Sequence, residues 1–449
     1  MAKTSAHNMV PLSGILVGAL AGVGVWAGGQ SIAGDGLAGW AGLWGAAVSL
    51  FGGAGFLAML GSLPRGGVLR RALGLGLGLG TLLLWAIFDR FDAPRALLHT
   101  PSLIFGAALV WALSVPLILC QFHAQFHAGG FLAQYPRLYR QIWDLLGRGL
   151  AAGLVAGLIW GGVFFFDGLL QSAGMGFVGA VTAHPLVASA VTGGGFGLGA
   201  ALFAQRYMTQ DPLLPLKLLR LFAPALLVAV VIFCGAALTH GQGAALGALS
   251  PAYFVLLVAV MMIVMVSLIA DETDHAAAGP VFLRLSGRGL AVVLPLPAVL
   301  ALGQLALRVA DLGWTPGRLA AVAVAVWVLA FGLGYGVSAL FGGVWMARVR
   351  RVNFVLASAG FAAALVWLTP LFDAQSISAR TQVARYVAGD VSAAGLDLWT
   401  LRADWGWAGQ AALARLSDLA QSNGDAALTR RLQDLVAAPD RWSFENYRP

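Results

Sequence analysis

Two histidines four residues apart form the pair best spaced to bind a metal ion. His123 and His127, in QFHAQFHAGG, share one face of a helix at the end of an apolar segment. This spacing suits zinc or the edge of a haem, but a catalytic zinc site needs a third protein ligand. No glutamate follows the first histidine, so the metalloprotease pattern is missing. The alternative is a pair of histidines at the membrane interface, and we predict no cofactor.

Acidic residues at the ends of apolar segments are the candidates for catalysis. Asp89 and Asp92 lie in FDRFDAPR, and Asp167 ends the aromatic stretch WGGVFFFDG. Membrane enzymes that act on lipid-linked sugars use loop carboxylates with a metal, and this chain shares that architecture only. The alternatives are ion pairing of the first two acids with Arg90 and Arg95, and a hydrated acid at the membrane rim for Asp167.

Two apolar segments, the sixth and ninth along the chain, contain residues that weaken a helix. The sixth holds three successive glycines in VTGGGFGLG, and the ninth holds LPLP followed by a glutamine. Interrupted spans whose backbone groups line a cavity are typical of transport sites. The alternatives are a packing notch and an ordinary proline kink. The substrate-pathway candidates are Thr192, Gly193, Gly194, Gly195, Pro295, Pro297 and Gln304.

The composition indicates the elements that must position these residues. The chain is 59% hydrophobic and 10% charged, whereas soluble domains carry about 25% charged residues. Its apolar stretches are long enough to cross about 30 Å of hydrocarbon as helices. We therefore predict an all-α polytopic membrane protein, with residues 168–185 interfacial or re-entrant. The eleven predicted spans lie near 11–27, 38–60, 72–88, 102–121, 149–166, 185–203, 219–238, 250–270, 288–306, 319–341 and 352–371.

The positive charges predict the orientation of these spans. With a cytoplasmic N-terminus, 15 lysines and arginines fall inside, four fall in outer loops, and eight lie in residues 372–449. This bias follows the positive-inside rule. It places residues 372–449, a tail after the membrane domain of residues 1–371, in the periplasm of a bacterial inner-membrane protein. The pI of about 10.1 is then a signal of topology and not of nucleic-acid binding.

An amphipathic segment and regularly spaced small residues predict how the helices pack. AQYPRLYRQIWDLLGRG is amphipathic, and it either lies on the inner leaflet or packs on neighbouring spans. Glycines recur every four residues in the first and fifth spans, which lets helix backbones approach closely within the chain or against a second copy. The two stripes are Gly14, Gly18 and Gly22, and Gly153, Gly157 and Gly161.

The tail is predicted to form several short amphipathic helices. ISARTQVARYVAG, AGQAALARLSDLAQ and AALTRRLQDLVAAP have leucines and valines at helical spacing. About 78 residues fold alone only marginally, so docking on the outer loops is expected. We interpret residues 376–437 as a module for a protein partner.

The last two spans and the tail together carry a family resemblance. GWTPGRLAAVAVAVWVLAFGLGYG precedes Pro370, and ISARTQVARYVAGDVSAAGLDLWTLRADWGWAGQAALARL follows it. Residues 313–435 resemble a bacterial inner-membrane family catalogued as domain of unknown function 4153. The resemblance implies an envelope protein of many spans, and it implies no activity.

Several motifs are missing from the sequence. It holds no phosphate-binding loop, no paired intramembrane carboxylates, no Ser-His-Asp pattern and no ladder of arginines in a span. An ATP-driven pump and a voltage sensor are therefore disfavoured. The sequence predicts a non-enzymatic protein in contact with membrane lipids, either transporter-like or a scaffold for an envelope complex. The alternative is a membrane enzyme acting on a lipid-linked substrate at the outer face.

Overall fold

The computed structural model describes residues 2–32, 34, 36–62, 65–121, 135–172, 177–206, 218–240, 251–341 and 343–446. Over these residues the chain is helical and forms no strand. Eleven of the described helical segments are long and apolar enough to cross a membrane, and each coincides with one predicted span. The predicted all-α polytopic fold is therefore confirmed.

The helices fall into two groups of spans and a tail. The first group is α1 (Ala2–Ile32), α2 (Leu37–Met59), α3 (Arg65–Phe88), α4 (Pro101–Gln121), α5 (Tyr135–Ser172), the short α6 (Phe177–Thr182) and α7 (Pro185–Arg206). The second group is α8 (Ala223–His240), α9 (Pro251–Ala270), α10 (Val281–Val293), α11 (Pro295–Leu312), α12 (Pro316–Leu340) and α13 (Trp345–Trp367). The tail holds α14 (Ala374–Ala388), α15 (Leu398–Ala403), α16 (Gly406–Asn423), α17 (Ala426–Ala437) and α18 (Arg441–Asn446).

The first six spans form a closed ring, and the last five pack around α12. Around the ring, α3 contacts α2, then α1, α7, α5 and α4, and α4 returns to α3. In the second group, α12 contacts α9, α10, α11 and α13, while α8 packs on α9 and α10. The two groups meet where α4 packs on α13 and where the start of α5 packs on Leu268 and Phe354. We call this boundary the seam.

The amphipathic segment and the fifth span are one helix, which corrects the prediction of two elements. Helix α5 runs unbroken for 38 residues. Tyr135, Tyr139 and Trp143 are buried against the second group, so packing on neighbouring spans is the alternative that the structure bears out. Arg148 is also buried, because it pairs with Asp144 at 2.7 Å and donates to the carbonyl oxygen of Leu60 at 2.6 Å.

The two spans expected to be interrupted behave differently. Helix α7 continues through its glycine run without a break, so the interruption predicted for the sixth span is wrong. The ninth span is divided at Leu294, where α10 ends and α11 begins with Pro295, but Leu294 keeps helical dihedral angles and donates to the Leu290 carbonyl oxygen at 2.9 Å, so the backbone is not unwound there. Residues 168–185 do not form a span. Their described part is the end of α5 and the six-residue helix α6.

The two glycine stripes have different surroundings. A Cβ added to Gly18 would lie closer than van der Waals contact to the carbonyl oxygen of Gly193, because α1 and α7 cross backbone to backbone there. The other stripe, on α5, faces open space, and an added Cβ on Gly157 would meet no atom within 4 Å. The first stripe therefore packs within the chain, as one of the two predicted alternatives.

The tail is docked on loops at one end of the bundle, which we call the tail side. Gln382 donates to the carbonyl oxygens of Leu312 and Trp314 at 3.2 Å, and the amide of Trp407 donates to the carbonyl oxygen of Arg90 at 3.0 Å. The tail thus contacts loops of both groups. These loops are ones that the charge pattern assigned to the same side as the tail.

Arg90 fastens the tail side. Its side chain is 3% exposed, and it donates to the carbonyl oxygens of Ala86 at 2.7 Å, Thr369 at 2.7 Å and Phe372 at 3.1 Å. One guanidinium therefore joins the end of α3 to the end of α13 and to the start of the tail. A planar group with five N–H donors is suited to this role.

Close packing at Gly18 predicts an asymmetric effect of adding one methyl group. Gly18→Ala forces α1 and α7 apart, and overpacking of this kind costs about 1–3 kcal/mol. Gly157→Ala on α5 adds the same group into open space and is expected to leave the midpoint of thermal unfolding unchanged or slightly higher. Thermal unfolding of both variants in the same detergent checks this. Equal midpoints for the two variants would contradict the close crossing.

Removal of the Arg90 guanidinium is expected to loosen the tail. Arg90→Met leaves four backbone carbonyls without this donor, those of Ala86, Trp367, Thr369 and Phe372, at a cost of about 1–3 kcal/mol for buried groups. The amides of residues 369–377 and 405–409 should exchange hydrogen at least tenfold faster. The matched control is Arg95→Met, because Arg95 is exposed in the same loop. Unchanged exchange in Arg90→Met would show that the tail is held in another way.

A hydrogen bond between Tyr386 and Asp425 makes the stability of the tail depend on pH at both low and high pH. It raises the pKa of Tyr386 to about 12 and lowers the pKa of Asp425. The Asp425 contribution to stability is present above the unfolded pKa of about 4 and is lost as the pH falls through the lowered value. The Tyr386 contribution is present below about pH 10 and is lost as the pH rises to about 12.

The pKa of Tyr386 is measurable as the difference in tyrosinate absorbance between the wild type and Tyr386→Phe. We expect a midpoint near 12 that returns toward 10 in Asp425→Asn, because the carboxylate is lost while the helix cap is kept. Asp418→Asn, at an exposed position of α16, should leave the midpoint near 12. A midpoint that stays near 12 in Asp425→Asn would show that Asp425 is not the cause of the raised pKa of Tyr386.

Candidate functional site

The three candidate catalytic acids do not come together. Asp89 and Asp92 are exposed on the tail side. Asp167 accepts hydrogen bonds from the amide of Gly179 at 2.6 Å and from Gln171 at 2.7 Å, and so ties the end of α5 to α6. Among the described residues, no three His, Cys, Asp or Glu side chains form a group that could hold a metal ion. His123 and His127 lie outside the described residues.

The substrate-pathway candidates lie on packed helix faces. Thr192 donates to the carbonyl oxygen of Ala188 at 2.7 Å and accepts from Trp160 at 3.0 Å. Gly193 faces Gly18 of α1, and a Cβ on Gly195 would lie 3.0 Å from the Cα of Ala156. Gly194 lies beside α1 as well.

The proline break of the ninth span lies against α12. Pro297 is buried, and a Cβ added to Gly332 would lie 3.0 Å from the nitrogen of Pro295. Gln304 is half-buried on α11. Neither these residues nor the glycine run line the two cavities described below. Their role in a substrate pathway stays a prediction.

A cavity of about 380 Å³ lies in the seam between the two groups of spans. Most of its wall is apolar and comes from Leu113 and Leu117 of α4, Leu138 and Ile142 of α5, and Phe361 of α13. Ile142 and Ser358 line the cavity and are exposed on spans, so the cavity reaches the surface that lipid would cover. Its depth contains polar groups.

Four polar side chains from four helices meet at the inner end of this cavity. Asn353 donates through Nδ2 to the hydroxyl of Tyr135 at 3.0 Å and to that of Ser267 at 3.2 Å. The hydroxyls of Ser267 and Tyr335 are 2.9 Å apart, and Tyr335 donates to Oδ1 of Asn353. Tyr335 is fully buried, whereas Tyr135, Ser267 and Asn353 line the cavity. We call these residues the seam network.

When donors and acceptors are assigned to these hydrogen bonds, one hydroxyl proton of the network has no acceptor. Tyr335 donates to Asn353, so the Ser267 hydroxyl must be the donor to Tyr335. Both N–H groups of Asn353 are used, on Tyr135 and on Ser267. Among the described residues, nothing accepts the hydroxyl proton of Tyr135. In the part of the chain that the structure describes, the network therefore presents one hydrogen-bond donor to the cavity, the Tyr135 hydroxyl, which Asn353 holds in position.

A loop on the side opposite the tail holds the helices around the network. Residues 271–274 follow α9, and their three acids pair with arginines from three different elements. The pairs are Asp271 with Arg220 before α8, Glu272 with Arg140 of α5, and Asp274 with Arg350 of α13. The Arg140–Glu272 pair crosses the seam. The Arg220–Asp271 pair is buried, so its partners must stay together.

Sequence reasoning missed the network and the acidic loop, although both left signals. Asn353 is a carboxamide within a predicted span, where polar side chains commonly bond across helices. ADETD places three acids in a loop on a side otherwise rich in arginine. The charge pattern alone indicates the topology of these arginines and not their partners. Their partners come from positions 51 to 132 residues away, which no local pattern reveals.

Comparison of the chain with protein-family models, with curated proteins and with solved structures finds no match. The resemblance of residues 313–435 to the family of unknown function 4153 therefore stays a prediction. Over the described residues, the structure has eleven helices long and apolar enough to cross a membrane, a mostly apolar cavity in the seam, and the Tyr135 hydroxyl at the inner end of that cavity.

Proposed function

We propose that this protein is a transporter-like membrane protein that binds an amphipathic molecule in the seam cavity. The observation that carries the proposal is the Tyr135 hydroxyl, whose proton has no described acceptor, at the end of a mostly apolar cavity. A cavity of this kind accepts a hydrocarbon chain along its walls and one acceptor oxygen at its end. An ester, amide or phosphate oxygen fits that role.

The position of the cavity supports movement of the bound molecule. Ligand sites commonly lie at the boundary between two packed units, because relative motion of the units changes access to the site. Here the ring of six spans and the group around α12 meet at the cavity. Exposed Ile142 and Ser358 at its edge allow entry from the bilayer rather than from water.

Lipid access also fits the chemistry of the walls. Transfer of a hydrocarbon chain from one apolar medium to another gains little free energy, so a single directed hydrogen bond decides which molecule stays bound. Such a bond is worth about 0.5–1.5 kcal/mol net. The seam network keeps Tyr135 in position, because its oxygen already accepts from Asn353.

The sidedness predicted from the charges belongs to this proposal. With the N-terminus in the cytoplasm of a bacterial inner membrane, the acidic loop at 271–274 faces the cytoplasm and the tail faces the periplasm. Membership of the family of unknown function 4153 is consistent with this placement. The proposal does not depend on that membership, because it rests on the seam alone.

A scaffold role for the tail is the second candidate. Trp442 is 75% exposed and Val436 is 80% exposed, on the last two helices of the tail. Large apolar side chains at such exposure suit a protein partner at residues 376–437 and their neighbours. The enzyme alternative has less support, because the described His, Cys, Asp and Glu side chains form no group of three that could hold a metal ion.

Removal of one proton donor tests the proposed function. The probe is a phospholipid with a photoactivatable acyl chain, in nanodiscs that hold the full-length protein. Tyr135→Phe keeps the shape of the ring and is expected to lower cross-linking to peptides of α4 and α13 about two- to tenfold, the worth of one hydrogen bond. The midpoint of thermal unfolding should also fall, because Asn353 loses the Tyr135 oxygen as an acceptor, at a cost of about 1–3 kcal/mol.

A cavity-filling pair supplies the control. Ala357→Phe fills the cavity and should abolish the same cross-links, since Ala357 lines it. Ala359→Phe places the same ring on an exposed face of α13 and should leave the cross-links unchanged. An equal loss of cross-links in both variants, or no loss in either, would refute binding in the seam.

A further inference from the structure

A second and smaller cavity lies on the tail side, between the membrane bundle and the tail. It encloses about 230 Å³ and is lined by three parts of the chain. These are residues 99–102 before and in α4, residues 315–317 at the start of α12, and Gln375, Asp404 and Trp405 of the tail. No residue of the seam network takes part, so the two cavities are separate.

Two long helices begin at this cavity with the same dipeptide. Helix α4 starts with Thr100 and Pro101, and α12 starts with Thr315 and Pro316. The N–H groups in the first turn of a helix have no acceptor within the helix. Proline has no N–H group, so it reduces their number by one. A second is satisfied by the threonine, through Leu103 N on the Thr100 carbonyl at 3.0 Å and Arg318 N on the Thr315 hydroxyl at 3.2 Å.

After the proline and the threonine are accounted for, one backbone N–H group at the start of each helix has no acceptor. These are the N–H groups of Ser102 and Gly317, and neither donates to any described residue. Both residues line the cavity, at the positive end of a helix of about 20 residues or more. Two amides at two helix N-termini bind the oxygens of an anionic group such as a carboxylate.

Gln375 points independently to a ligand. Its residue is 3% exposed and lines the cavity, yet its side-chain amide makes no hydrogen bond to any described residue. Buried side-chain amides almost always have a partner. The Nε2 group of Gln375 therefore adds a third donor to the same cavity as the two helix amides.

Asp404 is a negatively charged acceptor in the same cavity as these N–H donors. Its carboxylate accepts no hydrogen bond from the described residues, and its nearest charged neighbour is Nδ1 of His99 at 3.8 Å. Burial raises the pKa of Asp404, with His99 and Arg441 opposing the effect. A simple anion in the cavity would be repelled by this carboxylate, whereas a ligand with a cationic donor would stabilise it.

We propose that the junction cavity binds a small zwitterion of amino-acid size. Its carboxylate accepts from Ser102 N, Gly317 N and Gln375 Nε2, and its ammonium group donates to Asp404. The ring of Trp405 packs against the carbon atoms between the two charged groups. The volume of about 230 Å³ has room for a small amino acid together with ordered water, at about 30 Å³ per water in the liquid.

Calorimetric titration of the full-length protein in nanodiscs tests this proposal. The probes are glycine, alanine and serine, with acetate and methylammonium as the two halves of the zwitterion. We expect at least one amino acid to bind tenfold or more tightly than either half. Absence of binding by all three amino acids, or acetate binding as tightly as they do, would overturn the proposal.

Two substitutions with matched controls assign the contacts. Gln375→Met keeps the size of the side chain and should weaken amino-acid binding about tenfold, whereas Gln410→Met at an exposed position of α16 should not. Asp404→Asn should weaken amino-acid binding and strengthen acetate binding, because it removes the repelling charge. Asp418→Asn should change neither.

The sign of the Asp404→Asn effect is the decisive result. Opposite changes for the amino acid and for acetate are expected only when both charges of the ligand are recognised. Changes of the same sign for the two probes would overturn the assignment of Asp404. Because Asp404 is partly exposed, this variant keeps the test valid even if Gln375→Met does not fold.

Discussion

Polar side chains inside a membrane bundle must find their partners within the chain, because lipid supplies none. This constraint explains the most buried polar contacts of the structure. Arg148 pairs with Asp144 and also reaches the Leu60 carbonyl, while Arg220 pairs with Asp271. The contacts of Arg148 with Leu60 and of Arg220 with Asp271 join parts of the chain that are far apart in sequence. The arrangement of the spans follows from these pairings as much as from their apolar faces.

The same constraint shapes the seam network. Asn353 uses both N–H groups and its carbonyl oxygen on three neighbours, which fixes its rotamer and theirs. A network with every inner member satisfied is rigid, and the group left at its edge is then held in one direction. Placement of a donor at the end of an apolar cavity is therefore a consequence of satisfying the groups behind it.

The eleven spans were predictable because hydrophobicity and length decide them locally. The helical tail was predictable for a similar reason, since its leucine spacing is a short-range pattern. The continuity of α5 was not, because burial of Tyr139 and Trp143 against another part of the chain overrides the apparent boundary. The contacts of Asn353 and of residues 271–274 depend on helices that meet only in the fold. Gly18 illustrates the middle case, in which the sequence predicts close packing but does not identify α7 as the partner.

The two ends of the seam are fastened unequally. On the tail side, Arg90 is 3% exposed and bonds to carbonyls of both groups of spans and the tail. On the other side, the pair that crosses the seam uses Arg140, whose side chain is 60% exposed. Because Glu272 is 8% exposed, solvent screens this pair only from the Arg140 side, whereas on the tail side several buried carbonyls would lose their donor if the helices separated. If the halves of the bundle separate, the tail side therefore acts as the hinge, and the gap widens first at the end that holds Glu272.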